Sequence, residues 1–173
     1  MYQKILTFIL IFLAAAMQVS MAPGLFFGLV TPDIVLVLII IWASRQSFES
    51  FWLWALVAGL ILDILSLERI GIDAISFLLI SVSVAFFSER FFVRRRNGAF
   101  LWVAFFLLVG TLLNYFLLGA AEALNDGSGA SIFSPHVLIF KILNNLIILA
   151  IIYRAVISLR DVFPIEDNRL LVK

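Results

Sequence analysis

The chain has 173 residues, 64% hydrophobic and 13% charged, with a mean hydropathy of +1.17 and a formal net charge of +1. So apolar a chain cannot place a core inside a polar shell, and lipid must be the solvent for most of its surface. It has no cysteine, which excludes disulfides, thiolate chemistry and cysteine-based metal sites.

A spanning helix needs about 20 residues, and irregular backbone is not tolerated against lipid, so long apolar runs read as transmembrane helices. Six such runs follow one another. The first, Ile5–Ala22, follows Lys4 and carries Ala14–Ala16 and Ser20-Met21-Ala22, which imitate a cleavable secretory signal. Another apolar run follows it, so it is expected to be an uncleaved span. Gln18 lies late in it.

The second run, Pro32–Ser44, is the shortest. Thr31-Pro32-Asp33 reads as a helix start, with Thr31 as N-cap, Pro32 in the first turn and Asp33 near the positive end of the helix dipole. Its length leaves open a re-entrant segment and five spans rather than six. In the third run, Phe51–Leu67, residues Ala55, Gly59 and Asp63 fall four apart and share one stripe, which should face other helices. The fourth run is Ala74–Phe92, and the fifth, Ala99–Ala121, places Gly110 and Asn114 on one face. Glu122–Ser134, rich in Gly, Ser and acidic residues, reads as a flexible loop, and His136 just beyond it as a surface residue. The sixth run, Pro135–Ser158, puts Lys141, Asn144 and Asn145 on one face, and residues 159–173 form a tail. The connections are too short for a soluble domain, so the expectation is a single all-α integral membrane domain, a six-helix bundle.

With six spans, Lys4, Arg45, Arg90, Arg94, Arg95, Arg96, Arg154, Arg160, Arg169 and Lys173 collect on one side, and Arg69 alone stands on the other. Basic residues in short loops stay in the cytoplasm, which places both termini and the tail there. On that orientation Gln18, Asp33, Asp63, Asn114 and Lys141 lie in the outer half of the membrane, with Asn144 and Asn145 nearer its middle. Polar groups at such depth face the bundle interior, and Lys141 is expected to pair with Asp63 or Asp33. Two readings of the cluster stand side by side: interhelical contacts that hold the bundle together, or a proton, ion or small-ligand site open to the outside.

Two intramembrane aspartates raise the question of aspartyl hydrolysis, in which two carboxylates share one proton. The stretches that surround such aspartates in lipoprotein signal peptidases and presenilin-type proteases are absent from the sequence, as are a zinc-binding His-Glu-x-x-His, a Walker loop and a Gly-x-Ser-x-Gly elbow. No enzymatic activity, cofactor or metal is expected.

Thr31-Pro32-Asp33-Ile34-Val35-Leu36, Arg45 after the second run, then Gly59-Leu60-Ile61-Leu62-Asp63-Ile64-Leu65-Ser66 and Gly71 resemble the rod shape-determining protein MreD family. In that family a Pro-Asp opens the second apolar segment, and a Gly-Leu-x-x-Asp stretch ends the third shortly before another Gly. Gln18, the chain length and the short loops agree with the resemblance, and Glu68-Arg69 and Asp73 depart from it. The resemblance implies a non-catalytic component of the bacterial inner membrane that directs cell-wall elongation. Its implied partners are MreC, a single-span protein with a coiled coil, together with MreB, the RodA glycosyltransferase and a penicillin-binding transpeptidase. Nucleic acid has no part in it. The family is also similar to the substrate-binding S components of energy-coupling factor transporters, so the alternative is a module that binds a vitamin or metal for import. The two differ in what the polar residues do: in a scaffold they fix helices, in a transporter they line a pocket.

Overall fold

The structure, a computed structural model, describes residues 2–20, 30–44, 48–66, 71–91, 99–126 and 134–158. Among them are six α-helices: α1 (Tyr2–Ser20), α2 (Ile34–Ala43), α3 (Phe48–Ser66), α4 (Ile72–Phe91), α5 (Ala99–Asp126) and α6 (Pro135–Ser158). The basic loops around Arg45 and Arg94–Arg96, the Arg69 loop, the signal-like Met21-Ala22 and the tail lie outside the described residues.

The short second run is explained by where it sits. At about 1.5 Å per residue, its 10 residues extend about 15 Å, half of a hydrocarbon core. It is apolar on every side, which suits a helix surrounded by protein rather than one exposed to water. Helix α2 packs against all five others, and Val35, Leu36, Val37, Ile39, Ile40, Ile41 and Ala43 are buried. The other helices form a ring around it in the order α1, α3, α4, α5, α6, each packed against the next. Between α1 and α6, among the described residues, the ring is not closed. Three residues of α2 are only half-buried, Ile34, Leu38 and Trp42. They recur every four residues, so a single stripe of the central helix reaches the surface.

The tightest helix pair is α3 with α4. A Cβ on Gly59 would lie 2.3 Å from Ala74 Cα, so only glycine permits this approach. Ala55 and Ala58 on α3 are fully buried, as the small-residue stripe anticipates. Gly110 shares a buried face of α5 with Asn114, beside Ile80 of α4.

Several boundaries differ from the sequence expectation. Helix α5 continues five residues beyond Ala121, so Glu122–Asp126 belongs to the helix and not to the loop. The good helix formers from Ala120 to Leu124 outweigh the polar character of that stretch. Helix α3 begins at Phe48 rather than Phe51.

The surface has the inverse polarity of a water-soluble protein. Leu101 is 70% exposed, Ile151 63% and Ile64 60%, whereas Asp63 is 1% exposed and Asn145 fully buried. Phe100–Ala120 and Pro135–Ala155 are long and apolar enough to cross a bilayer, and the remaining described helices contribute shorter apolar stretches. An exterior of this kind around a polar interior suits lipid.

Candidate functional site

Most of the buried polar side chains gather at two helix N-termini, where backbone N–H groups have no partner within their own helix. The first is the start of α2. Thr31 was expected to cap it, but the residue at the cap position is Asp33, and its side chain makes no capping hydrogen bond. The donors are met from other helices instead. Val35 N donates to Gln18 Oε1 of α1 at 2.9 Å, and Asp33 N donates to Asn145 Oδ1 of α6 at 2.7 Å.

The Asp33 carboxylate faces α6. Lys141 Nζ lies 3.1 Å from Asp33 Oδ2, and the side chains are 13% and 9% exposed respectively. Of the two partners expected for Lys141, it is therefore Asp33 that it meets. Asn145 Nδ2 donates to Thr111 Oγ1 of α5 at 2.9 Å and reaches Asp33 Oδ2 at 3.4 Å. Asn144 Nδ2 donates to Val30 O at 2.7 Å. The shared face of Lys141, Asn144 and Asn145 is thus spent on the chain leading into α2. Pro32, also buried, supplies the carbonyl that receives Ile34 N at 3.1 Å.

The second cluster is the start of α4. Asp63, near the end of α3, receives Gly71 N at 2.7 Å on Oδ2, Asp73 N at 3.1 Å on Oδ1 and Ala74 N at 3.4 Å on Oδ2. A carboxylate at the positive end of a helix stabilises it by hydrogen bonding and by the dipole. Gly71 has φ +103, backbone that residues with a side chain rarely adopt, and this turn aims its N–H at Asp63. Asp73, whose presence departs from the family pattern, takes Asn114 Nδ2 on Oδ1 at 2.8 Å and so joins α5 to the same cluster.

All ten residues singled out in the sequence are thus in these clusters or in the close packing beside them. Sequence reasoning missed Thr111 and Asp73. Thr111 carried a legible signal, since it precedes Asn114 by three residues and shares its face. Asp73 looked like a loop residue because α4 was expected to start at Ala74, whereas it starts at Ile72.

Chemically, both clusters join helices. Asp33 is paired with a lysine, and Asp63 is occupied by backbone donors from the following helix. An aspartyl pair sharing a proton is a different arrangement. Among the described residues no group of three or more His, Cys, Asp or Glu converges as a metal site requires. His136 is exposed, as expected of a surface residue.

Comparison with known proteins gives one match. No curated protein and no solved structure matches the chain. The family model described as rod shape-determining protein MreD matches residues 1–159, from the N-terminus through all six helices.

Proposed function

Because this chain belongs to the rod shape-determining protein MreD family, whose members are cell-shape-determining membrane proteins, we propose that it is a non-catalytic scaffold of the cell-wall elongation machinery. It sits as a multi-pass bundle in the bacterial inner membrane and binds the membrane helix of an MreC-like single-span protein. Through that partner it helps organise peptidoglycan synthesis along the cell cylinder, beside MreB, a RodA-type glycosyltransferase and a penicillin-binding transpeptidase.

The observation that carries this reading is the extent of the family match, which takes in the whole bundle rather than a single motif. The chemistry of the polar clusters supports it. Gln18, Asn144, Asn145 and Asp63 each bond backbone groups of another helix or turn, a use that fixes helices and leaves those atoms less free to contact a ligand. That weighs against the S-component alternative, since a pocket needs convergent polar groups free to meet its ligand. Among the described residues α1 and α6 do not pack together, and the half-buried Ile34, Leu38 and Trp42 stripe of α2 offers a berth for one further helix.

The test is a photocrosslinking amino acid placed at Leu38 in the full chain in native membranes, followed by purification and identification of the adduct. The same probe at Leu101, 70% exposed on α5, is the comparison. An adduct with a coiled-coil single-span protein, formed at Leu38 and not at Leu101, is the expected result. Adducts from Leu101 alone would move the berth elsewhere, and a coupling subunit with two ATPases would make the chain a transport module.

A further inference from the structure

In an apolar helix, a serine hydroxyl ordinarily donates to the carbonyl one turn before it. Two serines of α4 do so: Ser81 Oγ donates to Phe77 O at 2.6 Å and Ser83 Oγ to Leu79 O at 2.9 Å. Ser76, on the same helix and fully buried, makes no hydrogen bond, although the Ile72 carbonyl lies one turn behind it. On α5, Asn114 is 2% exposed and its Nδ2 is committed to Asp73, yet its Oδ1 accepts nothing. Buried polar atoms of this kind are uncommon, and each calls for a physical reason.

The two atoms belong to one interface. Asn114 meets Asp73, and Gly110, one turn earlier on α5, lies against Ile80. The helices therefore run antiparallel in a register that sets Ser76, one turn after Asp73, at a level between Asn114 and Gly110. A hydroxyl that forgoes its own helix and an amide oxygen without a donor thus fall within about one helical turn of each other along the α4–α5 contact. A single small molecule able both to accept and to donate satisfies both.

We propose that a water molecule is bound between α4 and α5 at this point, accepting the Ser76 hydroxyl proton and donating to Asn114 Oδ1. Water fits because the amide oxygen needs a donor, and buried waters characteristically join groups left unpaired between packed elements. The site adds a hydrogen-bonded link between α4 and α5 next to the Asp63 and Asp73 cluster. Thr111, one turn from Asn114 on α5, already bonds to Asn145. The water site thus lies beside Asn114, one helical turn from the cluster at the start of α2.

The experiment is a double-mutant cycle on the purified full chain in lipid nanodiscs, read as the thermal unfolding midpoint. Ser76→Ala is expected to lower the midpoint by about 2–4 °C in the wild-type background. In an Asn114→Leu background it is expected to lower it far less, while Ser81→Ala shifts both backgrounds equally. A Ser76→Ala variant that is unchanged or more stable would mark the hydroxyl as unpartnered and overturn the proposal. Equal shifts in the two backgrounds would do the same. Should Asn114→Leu fail to fold, the sign of the Ser76→Ala shift still decides. Replacing sodium chloride with choline chloride should leave the wild-type midpoint unchanged. A sodium-specific stabilisation lost in Ser76→Ala would make the occupant a cation and not water.

Discussion

Asp63 holds three backbone N–H groups, since Gly71, Asp73 and Ala74 all donate to it. Asp63→Ala would leave those donors without a charged acceptor where water is scarce, and is expected to cost about 2–3 kcal/mol. Asp63→Asn keeps one carbonyl oxygen and should cost less. Unfolding in mild detergent, followed by circular dichroism, separates the two. The glycines make a similar contrast. Gly59→Ala forces a Cβ into the backbone of Ala74 and should destabilise by about 1–3 kcal/mol or prevent folding. Around Gly71 there is open space, so Gly71→Ala meets only conformational strain, about 1–2 kcal/mol. A larger loss at Gly71 than at Gly59 would contradict the close α3–α4 approach.

The ion pair between Lys141 and Asp33 is the other residue-scale determinant. Burying two charges is costly, so the pair is weak evidence for net stability, but removing one partner strands the other. Lys141→Met is therefore expected to cost about 3–5 kcal/mol. Exchanging both residues, Asp33→Lys with Lys141→Asp, should recover part of what either single reversal loses, with folded yield in membranes as the readout. If the exchange were no better than the single reversals, the pairing would be refuted.

At the scale of the element, α2 departs from an ordinary transmembrane helix. It is too short to cross a bilayer alone, its starting N–H groups are met by side chains of α1 and α6, and its sides are enclosed by protein. Its two faces should respond differently to the same change. Ile40, fully buried, should lose about 2–5 kcal/mol on replacement by alanine. Leu38, on the half-buried stripe, should lose less in the isolated chain and more once a partner covers it. Helix α6 is the reverse case. Only 11% of Pro135–Ala155 is buried, so its polar bonds to the start of α2 supply much of what fixes its position. Tyr115 OH donates to Ser134 O at 3.1 Å and ties its beginning to α5.

For the whole molecule, a polar interior and an apolar exterior make the bilayer part of the folded state. On the proposed six-span orientation, with the basic residues of the sequence on one side, residue 159 is expected in the cytoplasm. A reporter active only outside the membrane, fused after that residue, should be inactive, and the same reporter after Asp126 active. The opposite pattern would invert the bundle and with it the side of the membrane that the polar clusters face.

Helical class, membrane setting and most of the residues that form the two polar clusters are legible in the sequence, because each rests on local chemistry. Apolar runs fix the helices, a four-residue spacing puts Ala55, Gly59 and Asp63 on one stripe, and a lysine cannot stay unpaired in hydrocarbon. The tertiary structure alone decided which groups those residues meet. Asp33 and Asp63 both suited Lys141 in type and depth, and only the arrangement of helices gives it the first and leaves the second to cap α4. The same holds for α2, whose shortness read as a weak span until five neighbouring helices showed why lipid need not be crossed by it alone. Contacts between residues more than a hundred positions apart, such as Asp33 with Asn145, depend on how the helices pack around one another, which no local pattern encodes.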